Sequence, residues 1–128
     1  KIKVKNMIDT RKKANVIESM TVIGDVEGRD VILIDDIIDT GGTLVKAAGL
    51  MMDKGAKSVR AMCTHAVLSG NAIEKIDKSA LTELIVTDTI PLKHTSSKIK
   101  VLTVANLFAD VIHRVQNYES ISSHFIIQ

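Results

Sequence analysis

Hydrophobic and polar positions follow two periodicities along the chain, one typical of strands and one typical of helices. The continuous, β-branched run Asp30–Ile34 predicts a strand that is covered on both faces. After Thr43 the apolar residues recur at helical spacing, and Gly55 is a good place for that helix to end. Strands are also predicted at 1–9, 58–65, 84–88 and 99–104. A short helix is predicted at 70–79 and a longer one at 105–117, and residues 10–20 show a helix-like pattern. Residues 21–34 are typical of a strand, a turn and a second strand.

The regular alternation of strands and helices predicts the fold class. Parallel strands joined by helical crossovers give an α/β domain, here a three-layer α/β/α arrangement with a mainly parallel sheet. No repeat, low-complexity stretch or long linker interrupts the pattern. The sequence therefore predicts a single domain over 1–128.

Composition narrows the kind of protein. The 128 residues are 45% hydrophobic and 25% charged, which is ordinary for a soluble globular domain. A formal net charge of +2 is too small to predict nucleic acid or an anionic membrane as the main partner. No run is long enough to span a membrane, and a single cysteine, Cys63, suits a reducing compartment. We expect a cytoplasmic protein.

Candidate chemistry is concentrated in the run VILIDDIIDTGGT, which ends at Thr43. Ligands of parallel sheets bind beyond the carboxyl ends of the strands, where Asp35 and Asp36 are predicted. The turn from Thr40 to Thr43 offers backbone amides and a helix start, which suit a phosphate. The two carboxylates would repel that phosphate, but they suit neutral hydroxyl groups or a divalent cation. A sugar phosphate carries both kinds of group.

More ordinary interpretations exist for each of these features. A lone pair of aspartates after a strand is usually a solvated turn with one helix N-cap, but a third aspartate and the TGGT turn at this spacing argue against it. Cys63 and His65 could form a metal or nucleophile site, although a strand-end histidine without a catalytic role is the better interpretation. Met51 and Met52 are expected to be core residues.

Beyond this run, the sequence resembles one protein family. The run itself resembles the phosphoribosyl-binding motif of the type I phosphoribosyltransferase-like fold. The stretches ANVIESM, IGDVEGRDV, GGTLVKAA, KGAKSVRAMCTHAVLSG, VTDTIPL and ESISSHF are similar to the C-terminal half of the ribose-phosphate diphosphokinases, or phosphoribosyl pyrophosphate synthetases. The similarity covers nearly all residues from Thr10 onward, which makes another phosphoribosyltransferase a weaker alternative.

The resemblance implies a reaction and a set of partners. It implies transfer of diphosphate from ATP to the anomeric hydroxyl of ribose 5-phosphate, with Mg²⁺, in a homo-oligomer that phosphate or ADP can regulate. Ser120, Ser122 and Phe125 match positions that help form an allosteric site between subunits, although a plain C-terminal strand is an equal alternative. The implied substrate-binding residues are Asp35 and Asp36 for the ribose hydroxyls, and Asp39, Thr40, Gly41, Gly42 and Thr43 for the 5-phosphate.

The chain departs from the family pattern at the catalytic loop. Arg11 stands at the position of the family's loop arginine, and the resemblance implies that it is catalytic. The loop lysine is expected two residues earlier, where Asp9 stands; either Asp9 replaces it, or the lysine is deleted before Thr10.

The resemblance also covers only the family's C-terminal half, so we expect most of the ATP site to lie outside this sequence. A non-catalytic, synthetase-like regulatory subunit is therefore an alternative.

Overall fold

The computed structural model describes residues 7–13, 16–22 and 25–125, with side chains from residue 25 onward. The described part begins with an antiparallel hairpin of β1 (Met7–Lys13) and β2 (Val16–Val22), in which Met7 lies opposite Val22. The helix-like pattern predicted within 10–20 is therefore wrong. The β-branched residues of that segment, Thr10, Val16 and Ile17, favour a strand, and pairing with a neighbouring strand prevails over its weak helical spacing.

A four-stranded parallel sheet forms the body of the domain. Its strands lie in chain order: β3 (Asp30–Ile38), β4 (Ser58–Ala66), β5 (Glu83–Thr87) and β6 (Ile99–Leu102). The helices are α1 (Gly42–Asp53) between β3 and β4, α2 (Ala72–Lys78) between β4 and β5, and α3 (Ala105–Gln116) after β6; a short 3-10 helix follows at Ser122–His124. The predicted α/β class with a mainly parallel sheet is confirmed.

The hydrophobic core lies between one face of this sheet and the first two helices. Val59, Leu84 and Val86 point from the strands into a cluster that includes Met51 of α1 and Ile76 of α2, and each of these five is at most 2% exposed. Met51 is a core residue as predicted, whereas Met52 is 37% exposed on α1. Burial of this side of the sheet fixes the positions of the strand ends and of both helix starts.

The opposite face of the sheet carries apolar side chains that the described residues leave uncovered. Ile34 is 69% exposed, and Met62, its neighbour on β4, is 39% exposed. None of the residues of α3 is buried. This part of the chain therefore covers one face of its parallel sheet more completely than the other, although such sheets are usually covered on both.

Candidate functional site

The candidate site lies where β3 ends and α1 begins. A cavity of about 290 Å³ is lined by one continuous segment, residues 35–44. β3 runs four residues beyond the predicted end at Ile34, because Ile37 and Ile38 still pair with His65 and Ala66 of β4. The acidic pair therefore lies within the C-terminal part of β3, and the glycine-rich loop follows the end of the strand.

The loop ends in a helix start that has no side-chain cap. Gly41 is the N-cap of α1 in a left-handed conformation, with φ of 70°, and no side chain hydrogen-bonds there. No acidic residue stands in the first turn of the helix. The first intrahelical bond runs from Val45 N–H to the Gly41 carbonyl at 3.0 Å. Amides at such a start point outward and favour an anion.

Gly42 serves a different purpose from Gly41. Its φ is not positive, and a Cβ added there would meet no heavy atom within 4 Å. At Gly41, by contrast, an added Cβ would touch the Cβ of Ala72 at 3.6 Å and would be strained by the positive φ. The loop thus needs Gly41 for its backbone conformation, whereas Gly42 lies beside open space at the start of the helix.

The paired carboxylates lie at the other end of the cavity lining. Asp35 and Asp36 are both exposed, and the Asp36 N–H donates to Asp35 Oδ1 at 3.0 Å. Partial burial, reinforced by the neighbouring Asp36 carboxylate, raises the pKa of the Asp35 carboxyl. These carboxylates accept hydrogen bonds readily, so hydroxyl groups of a ligand suit this end of the cavity.

Asp39 is held by a residue that sequence analysis missed. The Ser69 hydroxyl donates to Asp39 Oδ1 at 2.5 Å, and the Ser69 N–H donates to the Asp39 carbonyl at 3.0 Å. Lys75 Nζ, on α2, donates to the Thr40 carbonyl at 3.3 Å. The position of Ser69 just after β4 could have signalled this contact, because the carboxyl ends of adjacent parallel strands meet at one edge of a sheet.

Cys63 and His65 do not form a reactive pair. The buried Cys63 thiol donates to the carbonyls of Asp36 and His65 at 3.5 and 3.4 Å, and burial raises its pKa. His65 Nδ1 lies 2.9 Å from the Thr89 hydroxyl. Across the described residues, no group of three or more His, Cys, Asp or Glu side chains could hold a metal ion.

The remaining predicted site residues lie away from the cavity lining, or their side chains lie outside the part of the chain that the structure describes. Arg11 belongs to β1, whose side chains are outside the described part, so its catalytic role stays a prediction. Ser120 and Ser122 hydrogen-bond each other through their hydroxyls at 2.8 Å, and Phe125 is 60% exposed. The alternative of a plain C-terminal strand is not found there, because Ser122–His124 form a short 3-10 helix.

The parallel sheet, the acidic end of β3 and the uncapped start of α1 define an α/β domain of the phosphoribosyltransferase-like class. A family model described as "Phosphoribosyl synthetase-associated domain" matches residues 2–126, and the chain belongs to this family.

Relatives and a solved structure agree with that assignment. The chain is 61% identical to a ribose-phosphate pyrophosphokinase of Wolinella succinogenes over 116 residues and 60% identical to one of Campylobacter jejuni over the same length. In both cases the match covers 91% of this chain and 38% of the relative. The crystal structure of phosphoribosylpyrophosphate synthetase from Mycobacterium smegmatis matches with a TM-score of 0.76 and 40% identity, covering 78% of this chain and 34% of that one. The chain thus spans less than two fifths of these proteins.

No helix within the described ranges has both the length and the apolar character needed to cross a membrane.

Proposed function

We propose that this chain supplies the ribose 5-phosphate-binding half of a ribose-phosphate diphosphokinase, which transfers diphosphate from ATP to ribose 5-phosphate and gives 5-phosphoribosyl 1-pyrophosphate. One observation carries the proposal: an uncapped helix start and an acidic strand end line the same small cavity. This arrangement provides donors for a phosphate and acceptors for hydroxyl groups on one ligand. Relatives named ribose-phosphate pyrophosphokinase support the choice of that ligand.

In this proposal the two ends of the cavity divide the ligand between them. The amides from Asp39 to Thr43 bind the 5-phosphate, with help from the Thr40 and Thr43 hydroxyls. Asp35 and Asp36 accept hydrogen bonds from the ribose hydroxyls and orient the sugar, so that its anomeric hydroxyl faces the diphosphate donor. Binding the sugar phosphate in one fixed pose is the contribution of this chain to the reaction.

We propose Mg²⁺ as the cofactor, held jointly by protein and substrates. Mg²⁺ in phosphoryl-transfer sites is commonly bound by one or two carboxylates together with substrate oxygens and water. Asp35 and Asp36 fit that role, and the described residues offer no larger cluster of metal ligands. When bound, the ion would neutralise charge on the transferred phosphoryl oxygens.

The other partners of the whole enzyme are also proposals. ATP and the rest of its site would come from sequence beyond this domain, and Arg11 would stabilise the migrating diphosphate. We propose a cytoplasmic homo-oligomer, with phosphate or ADP as effectors near Ser120, Ser122 and Phe125. The second candidate is a non-catalytic regulatory subunit, favoured by the absence of a lysine both at position 9 and directly between Asp9 and Thr10. Both candidates predict that the domain binds ribose 5-phosphate; turnover by the full-length protein would separate them.

Calorimetric titration tests the binding half of the proposal. The parent chain should bind ribose 5-phosphate, and Asp35→Asn should weaken that binding by about ten- to a hundredfold, because it loses a charge-assisted hydrogen bond of about 1.5–3 kcal/mol. Inorganic phosphate should bind both proteins equally. If ribose 5-phosphate binds the parent and Asp35→Asn with equal affinity, the carboxylates are not part of the binding site. If neither ligand binds the parent, the proposal is refuted.

A further inference from the structure

The connection between β4 and α2 is tied to the proposed phosphate loop by consecutive backbone bonds. Leu68 N–H donates to the Ile38 carbonyl at 3.1 Å, and Ser69 N–H donates to the Asp39 carbonyl at 3.0 Å. The buried Leu68 has a φ of 45°, which is uncommon for a residue other than glycine. Such a conformation persists only where the surroundings hold it, so this connection is fixed against the loop.

The Ser69 hydroxyl adds a bond to a charged group. It donates to Asp39 Oδ1 at 2.5 Å, and Ser69 itself is half-buried. A free carboxylate beside the Thr40–Thr43 amides would compete with a phosphate for the same donors and would repel it. The hydrogen bond keeps that carboxylate on Ser69 and leaves the amides open to a ligand.

Helix α2 contacts the same loop through Lys75 and Ala72. The half-buried Lys75 donates from Nζ to the Thr40 carbonyl at 3.3 Å, and the backbone of Gly41 lies against Ala72. The loop is therefore braced at Asp39, at Thr40 and at Gly41 by one neighbouring segment. None of these contacts uses the outward-facing amides.

We propose that Ser69 is a positioning residue for the phosphate loop: by holding Asp39 it keeps the carboxylate away from the phosphate and fixes the shape of residues 40–43. This inference rests on the proposed binding of ribose 5-phosphate. Ser69 does not touch the substrate in this account, and Lys75 assists it from α2.

The test compares Ser69→Ala with Ser69→Thr and Ser58→Ala in the parent chain. Ser58 makes a similar bond to Asp30 Oδ1 at 2.5 Å where β4 and β3 begin, at the opposite end of these strands from Ser69 and Asp39. In calorimetry, Ser69→Ala should bind ribose 5-phosphate and inorganic phosphate about tenfold more weakly, corresponding to about 1.4 kcal/mol. Ser69→Thr, which keeps the hydroxyl, should restore most of the affinity, and Ser58→Ala should bind like the parent.

Hydrogen exchange separates this inference from the proposed function. The Leu68 and Val45 amides donate to the carbonyls of Ile38 and Gly41, respectively. Both amides should exchange faster in Ser69→Ala than in the parent. Their exchange rates should be unchanged in Ser58→Ala. If the parent binds neither ligand, the proposed function fails, while exchange still decides whether Ser69 fixes the loop. Unchanged exchange, or full affinity in Ser69→Ala, overturns the positioning role.

Discussion

Two adjacent glycines in the loop between β3 and α1 meet different physical requirements. Gly41 has a left-handed backbone that other residues adopt at a cost of about 1 kcal/mol or more. Gly42 has ordinary dihedrals and faces open space. The sequence does not distinguish the two, because the pair GG does not reveal which member carries the positive φ.

Valine substitutions should separate these two roles. Gly41→Val should lower both thermal stability and affinity for ribose 5-phosphate, because strain changes the direction of the amides. Gly42→Val should keep the midpoint temperature nearly unchanged and still reduce affinity more than about tenfold, since its side chain fills the space before the amides.

Gly49→Ala is the matched control for these variants. It lies within α1, where an added Cβ meets nothing within 4 Å. It should stabilise the fold by about 0.5–1 kcal/mol and leave affinity unchanged. Full ligand affinity in Gly42→Val would show that the phosphate does not lie against this turn.

At the scale of elements, helix α3 holds the C-terminal segment through the side chains of Asp110 and Arg114. Asp110 Oδ2 accepts from Arg114 Nε at 2.9 Å and lies 2.6 Å from His124 Nε2 in the 3-10 turn. Arg114 Nη1 also donates to the Ser120 carbonyl at 3.3 Å. The hydrogen bond from Arg114, with help from His124, lowers the pKa of the Asp110 carboxyl.

A lowered pKa fixes the direction of the pH dependence. The stabilising effect of Asp110 is complete above the ordinary pKa of an aspartate, about 4, and is lost as the pH falls through the lower folded value. Amide protection at His124 and Phe125, corrected for intrinsic exchange rates, should therefore fall in acid. Asp110→Asn should lower the same protection already at neutral pH.

Glu74→Gln provides the control for that experiment. Glu74 pairs with Lys78 at the same four-residue spacing on α2. This described ion pair lies within one helix and does not connect that helix to another segment. Protection at His124 and Phe125 should be unaffected by it. Equal protection in Asp110→Asn and the parent would mean that the segment carrying Ser120 and Ser122 is held by other contacts.

At the scale of the whole molecule, one face of the sheet exposes a row of apolar side chains. Ile34, Met62 and Ile85 form a row across three strands on this face, beside the ion pairs of Glu83 with Lys100 and Arg60. Apolar patches of this kind usually mark an interface. The predicted oligomer is thus consistent with the surface, and it stays a prediction.

We expect light scattering to detect dimers or larger species of the parent. Ile34→Ser should lower the average mass, because it replaces the most exposed apolar side chain of the row, 69% exposed, with a hydroxyl. Met52→Ser, which changes an exposed methionine of α1 on the other side of the sheet, should not. A parent that is monomeric at high concentration would contradict this prediction.

Local sequence determined most elements of the described domain and the location of its candidate site. Alternating β-branched runs and helical spacing act over a few residues, so β3, α1 and β4 could be predicted from them. The loop Thr40–Thr43 was predicted for the same reason, since glycine and threonine at a helix start are a local signal.

Only the tertiary structure decided which groups meet across the sheet. The extension of β3 to Ile38 depends on pairing with β4, and the bond between Asp39 and Ser69 joins residues thirty positions apart. The hairpin formed by β1 and β2 likewise depends on a partner strand rather than on its own weak periodicity. Local patterns fix what each segment can become, whereas pairing and burial of distant residues fix the neighbours that brace the site.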